Sequence, residues 1–315
     1  MQPRFSVIIP FLNEEQSIRE LHDKLVRTLE PMGTFELIFI DDGSTDGSYA
    51  IVRELHARDQ RIRAVKFRKN QGKSAALSEG FAAARGEIFI MIDADLQDEP
   101  SEIPALVGKL DEADLVTGWK QQRNDPWTKT FPSRVFNGFA RLLFGLKLHD
   151  LNCGLKAMRA EVARSIDLYG DMHRLIPVLA HIRGFSVAEL PVVHHERKYG
   201  ASKYGWKRFF KGIFDLMTVA FLGKFQNSPL YLFGSIGGTT FLVGFLCAIY
   251  LVIVKLQGHS IGERPLLIFS VLLILTGLQL IMTGLLAELI VSRFRERQVA
   301  VHETLDHDDG HAASR

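Results

Sequence analysis

From Phe5 to about residue 120, the hydrophobic positions alternate between two spacings. Short apolar runs rich in β-prone residues read as strands: Phe5 to Pro10, Glu36 to Ile40, Ile62 to Phe67, Ile88 to Ile92 and Leu115 to Thr117. Between them, apolar residues recur at helical spacing over about Ser17 to Leu29, Ser48 to Arg58, Lys73 to Ala84 and Ser101 to Leu110. Strand and helix in turn predict a mostly parallel sheet covered on both faces, with Gly33 and Gly86 as helix stops. Residues 120 to 200 follow another rhythm. They offer a polar loop from Gln121 to Pro126, a helix over roughly Trp127 to Phe144, a Cys153-Gly154-Leu155-Lys156 segment and a last strand-like stretch from Phe185 to Val193. No internal repeat is visible.

The pattern changes again toward the carboxyl terminus. Trp206 to Phe225 sets Lys207, Arg208, Lys211 and Asp215 at helical spacing against Phe209, Phe210, Ile213, Phe214, Met217 and Phe221. That predicts an interfacial amphipathic helix with its basic face toward anionic head groups. Between Lys224 and Lys255, and again between Arg264 and Glu288, no residue is charged. Each stretch exceeds the ~20 residues that cross a bilayer core of ~30 Å, and the short connection implies an antiparallel hairpin. Arg293, Arg295 and Arg297 follow the second span and basic residues precede the first, so both chain ends are expected in the cytoplasm of a multi-pass inner-membrane protein. Glu288 is expected at the inner interface. Gly237-Gly238, Gly277 and Gly284 could bring helices together, including those of a homo-oligomer formed through the hairpins. The expected organisation is an α/β domain over 1–205, an interfacial helix over 206–227, the hairpin over 228–292 and a polar cytoplasmic tail over 293–315.

Composition narrows this little further. With 315 residues and 47% hydrophobic content, the chain is too apolar for a disordered protein, and a net charge of +2 singles out no nucleic-acid partner. Cys153 and Cys247 cannot build a disulfide framework, and neither has the setting of a nucleophile. The apolar stretch Phe5 to Leu12 is interrupted too soon by Asn13-Glu14-Glu15 for a signal peptide, so the α/β part is expected to stay in the cytoplasm.

The chemistry gathers at predicted strand ends. Ile88 to Ile92 runs directly into Asp93-Ala94-Asp95-Leu96-Gln97, which delivers two carboxylates and an amide to the edge where open α/β sheets collect ligands. Carboxylate and amide oxygens suit a hard cation that leaves positions open for phosphates. Alone, an Asp-x-Asp is more often a solvated turn. A second strand ends in Asp41-Asp42-Gly43-Ser44, whose carboxylates could accept hydrogen bonds from a nucleoside's base and ribose. Gly72-Lys73-Ser74 is not a P-loop, because the position five residues before Gly72 is Phe67 and not glycine; Lys73 at a helix start could still meet a phosphate. Asp150 is the best carboxylate for a base or for positioning an acceptor. Arg123, Arg134, Arg197 and Lys203 are the candidates for phosphate contacts.

Taken in order, Pro10-Phe11-Leu12-Asn13-Glu14, Asp41-Asp42-Gly43-Ser44, Asp93-Ala94-Asp95-Leu96-Gln97, Asp150 with Cys153-Gly154, and Arg197 with Gly200-Ala201-Ser202-Lys203-Tyr204 resemble the family 2 glycosyltransferases. The resemblance is to their polyprenyl-phosphate branch, that of dolichyl-phosphate mannose synthase and the bactoprenol glucosyltransferases, and covers about residues 5 to 292. It implies a GT-A, Rossmann-like nucleotide-sugar domain, a nucleotide-sugar donor such as UDP-glucose, Mg2+ or Mn2+, inversion at the anomeric carbon, and undecaprenyl phosphate as acceptor. By that resemblance Pro10, Asn13, Glu14, Asp41, Asp42, Lys73 and Asp93 border the nucleotide. Asp95 and Gln97, with Asp93 beside them, hold the metal. Arg123, Arg134, Arg197 and Lys203 gather the phosphates, and Asp150 lies near the reacting centre. A processive membrane glycan synthase would carry a Gln-x-x-Arg-Trp motif, which is absent. A non-catalytic membrane scaffold would not need Asp95, Gln97 and the basic loop together.

Overall fold

The computed structural model describes residues 2–120, 144–146, 148–195, 198, 218–219, 221, 228–262 and 264–293. The chain forms two compact units, Met1–Ala220 and Phe221–Arg315.

The first unit is built on a seven-stranded sheet in the order β3-β2-β1-β4-β6-β5-β7. Its strands are β1 (Phe5–Phe11), β2 (Phe35–Asp41), β3 (Ile62–Lys66), β4 (Ile88–Met91), β5 (Leu115–Lys120), β6 (Lys156–Arg159) and β7 (Val187–Val192). Helices α1 (Ile18–Leu29), α2 (Ser48–Arg58), α3 (Lys73–Ala83), α4 (Ile103–Gly108), α5 (Ala160–Ser165) and α6 (Ile176–Ile182) connect or flank them. β1 and β2 are buried along their whole lengths, which is why they read as mainly apolar runs. Two polar residues break those runs and satisfy each other. Ser6 donates to Glu36 at 2.6 Å across the register, and Glu36 also accepts from the Arg85 N–H at 2.7 Å and from Arg63 at 3.1 Å.

Two expectations need correction, and one strand is added. Gly86 does not stop a helix: α3 ends at Ala83, Ala84 is already extended, and a β-carbon on Gly86 would lie 2.8 Å from the Ser6 nitrogen. Glycine is there because β1 passes too close for a side chain. The helix expected over Ser101 to Leu110 is split into α4 between 3-10 turns at Pro100–Glu102 and Lys109–Asp111. Cys153 to Lys156 leads into β6, which runs antiparallel to both β4 and β5. The helix expected over Trp127 to Phe144, apart from its last residue, the interfacial helix apart from isolated residues, and the tail beyond Arg293 lie outside the described residues.

The second unit holds α7 (Pro229–Leu256) and α8 (Pro265–Arg293), which pack on one another along their length. Both exceed the ~20 residues needed to cross a bilayer. They are not core helices of a soluble protein, because Leu246 is 56% exposed, Val252 57%, Leu275 57% and Leu289 57%. Such surface associates with a membrane.

Small residues bring the two helices together. A β-carbon on Gly237 would sit 2.7 Å from the Gly277 carbonyl oxygen, one on Gly244 2.9 Å from the Ser270 carbonyl oxygen, and one on Gly284 3.0 Å from Phe233 Cβ. Gly237 and Gly244, like Ser270, Gly277 and Gly284, recur every seven positions, the spacing of a left-handed helix pair. These approaches are made within one chain, and Gly238 faces open space. Glu288 Oε2 accepts the Leu230 N–H at 3.3 Å, placing a carboxylate at the amino end of α7.

Candidate active site

β1, β2 and β4 are parallel, so their carboxyl ends reach one edge. β1 and β4 are paired only as far as Ile8 and Met91, whereas β1 and β2 stay paired to Phe11 and Asp41. The missing N–H of Pro10 is therefore tolerated where β1 has lost its β4 neighbour. The resulting crevice between β1 and β4 is the switch point of the strand order, the place where open α/β sheets take ligands.

The loops bordering this crevice are stitched together. Asn13 Oδ1 accepts the Thr45 N–H at 2.8 Å, the Asn13 N–H donates to Ser44 Oγ at 3.0 Å, and the Glu14 N–H donates to Ser48 Oγ at 2.9 Å. Asp41 and Asp42 are buried. Asp41 accepts the Ser44 N–H at 2.7 Å and lies 3.7 Å from the Lys66 ammonium, while Asp42 accepts the Gln71 and Gly72 N–H groups at 2.7 and 3.0 Å. Both carboxylates thus shape their own loops first. A carboxylate has about four acceptor sites, so capacity for a nucleoside donor remains. By fastening Gly72, Asp42 also fixes the start of α3, and there Lys73 pairs with Asp93.

After β4 the chain reverses at Leu96, whose φ of 59° is left-handed; among the described residues only Asn13, at 57°, shares that conformation without being glycine. Both lie at this one edge, where backbone strain concentrates around function. Leu96 itself is buried, so its side chain anchors the reversal while Asp95 and Gln97 stay at the edge. Asp95 Oδ1 accepts the Gln97 N–H at 3.2 Å, and the Gln97 Nε2 donates to the His195 carbonyl at 3.3 Å.

Beneath the loop lies a layer of charge that sequence reasoning missed. Asp98 is 2% exposed and its Oδ1 lies 3.1 Å from His194 Nδ1 and 4.0 Å from the Lys120 ammonium. Burial pushes the Asp98 carboxyl up, but the His194 hydrogen bond and the Lys120 charge outweigh it and keep the group below the usual carboxylate range. Burial likewise pulls the Lys120 ammonium down, and Asp98 together with the other acidic groups around it, Asp150 and Asp93 among them, more than restores it. No such surplus exists at Lys156. It is 1% exposed, its ammonium donates to the Cys153 carbonyl, and burial holds its pKa below the ordinary value. The Cys153 thiol is pushed up to about 12 by burial and by Asp98, which excludes a reactive thiolate. Gly154 is wedged among these groups, since a β-carbon there would lie 2.6 Å from Asp98 Oδ2 and 2.7 Å from Asp93 Oδ2. Asp150 is 1% exposed and accepts the Asn152 N–H at 3.0 Å, a setting for orientation more than for proton exchange with solvent. Next to it, the His149 ring stacks on Trp119 with centroids 4.3 Å apart, and the His149 backbone N–H donates to Glu189 at 2.8 Å.

The structure therefore brings together Pro10, Asn13, Glu14, Asp41, Asp42, Lys73, Asp93, Asp95 and Gln97 at one edge, with Asp150 buried nearby in sequence to the Cys153–Gly154 turn. Arg123, Arg134, Arg197 and Lys203 lie outside the described residues. For a divalent cation, no three His, Cys, Asp or Glu groups converge among the described residues. The donor set that does exist is the Asp95 carboxylate with the Gln97 amide oxygen, whose amide nitrogen is already engaged. That fits Mg2+ or Mn2+ of the kind held by one or two carboxylates and completed by substrate phosphates.

Comparison with known proteins gives the chain's family. Residues 6–167 match the family model described as glycosyl transferase family 2. The chain is 37% identical over 297 residues to the dodecaprenyl-phosphate galacturonate synthase of Rhizobium johnstonii, covering 92% of this chain and 88% of that one. It is 34% identical over 290 residues to the undecaprenyl-phosphate 4-deoxy-4-formamido-L-arabinose transferase of Edwardsiella ictaluri, covering 90% and 88%. Among solved structures, the glucosyl-3-phosphoglycerate synthase of Mycobacterium tuberculosis superposes with a TM-score of 0.51 at 23% identity, over 70% of this chain and 80% of that one, a likeness of GT-A fold alone. The chain belongs to glycosyl transferase family 2, in its polyprenyl-phosphate branch.

Proposed function

We propose that the protein moves one sugar from a nucleotide-sugar to the phosphate of a membrane polyprenyl phosphate, with inversion at the anomeric carbon. The observation that carries this reading is the meeting of Asp93, Asp95 and Gln97 with Asn13, Asp41 and Asp42 at the crevice between β1 and β4. Nucleoside-side and metal-side groups flank the same gap. The relatives' names, one for galacturonate and one for a formamido-arabinose, place uronates and modified pentoses beside UDP-glucose as donors to test.

The chemistry asks little of a base. The second pKa of a phosphate monoester is ~6, so the lipid phosphate is already largely anionic at neutral pH. Its oxygen attacks the anomeric carbon as the bond from that carbon to the diphosphate breaks, and the nucleoside diphosphate departs with the electron pair. What opposes the reaction is repulsion between two phosphate groups. Asp95 and Gln97 would hold Mg2+ or Mn2+, which supplies charge neutralisation on the departing diphosphate. Lys73 compensates Asp93 beside it, Asp150 orients, and Arg123, Arg134, Arg197 and Lys203 gather the donor and lipid phosphates. The catalytic domain would occupy 1–205 and the interfacial helix 206–227, with the 228–292 hairpin anchoring the enzyme and both termini in the cytoplasm.

Incubating the purified protein with undecaprenyl phosphate, Mg2+ or Mn2+ and a panel of radiolabelled nucleotide-sugars tests the reading. One sugar on the lipid phosphate is expected. Asp95→Ala should remove nearly all turnover together with the metal response, and Asp150→Asn should cost less. Transfer to no lipid phosphate from any donor overturns the proposal.

A further inference from the structure

The Gln97 side chain has two ends of opposite chemistry, and only one can bind a cation. Its Nε2 lies 3.3 Å from the His195 carbonyl oxygen and 3.4 Å from His194 Nε2. Turning the amide over would press Oε1 against that carbonyl, so the nitrogen belongs there. His194 Nε2 also receives the Lys120 ammonium at 3.2 Å. An ammonium and an amide NH2 can only donate, so His194 Nε2 carries no hydrogen and turns its single lone pair toward them, shared between the nearer ammonium and the amide. The neutral ring then carries its hydrogen on Nδ1, and this hydrogen donates to Asp98 Oδ1 at 3.1 Å.

The backbone enforces the arrangement. Asp98 and His194 form an antiparallel bridge, and the His195 N–H donates to the Gln97 carbonyl at 2.8 Å. The chain leaving β7 is thereby fastened to the loop leaving β4. Asp98 and His194 sit at 2% and 14% side-chain exposure, so water competes little for these bonds.

We infer that His194, held in one tautomer by Asp98 and Lys120, is a positioning residue that aims the Gln97 amide oxygen toward the Asp95 side of the loop and a divalent cation. This rests on the proposed metal role of Asp95 and Gln97. Outer groups that orient a metal ligand typically change affinity by about 10- to 100-fold when removed.

The test measures Mn2+ affinity of the full-length detergent-solubilised protein in the presence of UDP, by the electron paramagnetic resonance signal of free Mn2+, with melting temperature as a control on folding. His194→Asn keeps an amide nitrogen near the Nδ1 position but offers no acceptor at Nε2, and should weaken Mn2+ binding at least about tenfold. His194→Gln places an amide oxygen near Nε2 and should recover much of that loss. Asp98→Asn, whose amide no longer dictates the tautomer, should weaken binding in the same direction and serves if His194→Asn fails to fold. Equal Mn2+ binding by folded Asn, Gln and wild-type proteins overturns the inference, as does equal loss in Asn and Gln. A wild-type protein that binds no Mn2+ with UDP overturns the metal reading itself, a distinguishable failure.

Discussion

Lys73 pairs with Asp93 across the carboxyl edge of the sheet, joining the first turn of α3 to the loop after β4. Both side chains keep access to solvent, at 28% and 31% exposure, so the pair can open when a diphosphate arrives. Removing the lysine would leave Asp93 facing an anionic donor uncompensated. Lys73→Met is expected to raise the donor KM about tenfold, or ~1.4 kcal/mol, with a smaller change in kcat. Adding Asp93→Asn should return part of that loss. Steady-state kinetics on membranes checks this, and a double variant no better than the single one removes Asp93 as the source of the penalty.

Gly154 carries a sharper expectation. Its missing side chain makes room for two carboxylates, and a methyl group there would lie within 2.7 Å of both Asp93 and Asp98. Overpacking of this kind costs typically ~1–3 kcal/mol, here at the expense of the loop that sets Asp95 and Gln97. Gly154→Ala should lower kcat/KM by more than about tenfold while the protein still folds. Activity within a factor of two of wild type would show that the carboxylates yield freely.

In the hairpin, position decides what a glycine does. A β-carbon at Gly277 would meet the Phe241 nitrogen at 2.5 Å and the Gly237 carbonyl at 2.7 Å, backbone atoms that cannot swing aside. Gly277→Leu should lower the thermal midpoint in detergent by several degrees, whereas Gly238→Leu, with nothing within 4 Å, should leave it almost unchanged. Circular dichroism during heating separates the two.

Asp59 provides a pH-dependent contribution far from the crevice. The Arg61 guanidinium donates to it at 2.8 and 3.0 Å and holds its carboxyl below the usual range in spite of partial burial. Because the folded state favours the ionised form, the stabilisation is complete above the unfolded value near ~3.9 and is lost as pH falls through the lower folded value. Arg61 is 38% exposed, so solvent screening limits the effect to about 1 kcal/mol. Asp59→Asn should therefore be less stable than wild type at pH 7, and the gap should close below pH ~4. Trp119, Trp127 and Trp206 all precede residue 220, so urea unfolding followed by tryptophan fluorescence reads the correct unit.

How far the sequence discloses this molecule depends on how local each feature is. Phe89 to Met91 is buried between neighbours, so the apolar run of β4 and its polar ending at Asp93 to Gln97 are plain in one dimension. β6 is not, because only Ala157 and Met158 are apolar between Lys156 and Arg159, and pairing with β4 and β5 is what makes it a strand. The Asp98–His194 contact joins residues 96 positions apart through a single bridge, beyond any periodicity. The adjacent pair Gly237-Gly238 draws the eye in the hairpin, yet a helix turns about 100° per residue and only one of the two can face α8. The telling signal was the seven-residue spacing to Gly244.

The backward course of β6 has an evolutionary consequence. β5 leaves the sheet at Lys120 on the catalytic edge, and β6 re-enters at Lys156 from that same edge. The two ends of the intervening sequence therefore lie at one edge of the sheet. Such a segment can lengthen, shorten or exchange its residues among descendants while the donor crevice keeps its shape, so new acceptors or sugars could be adopted without rebuilding the fold.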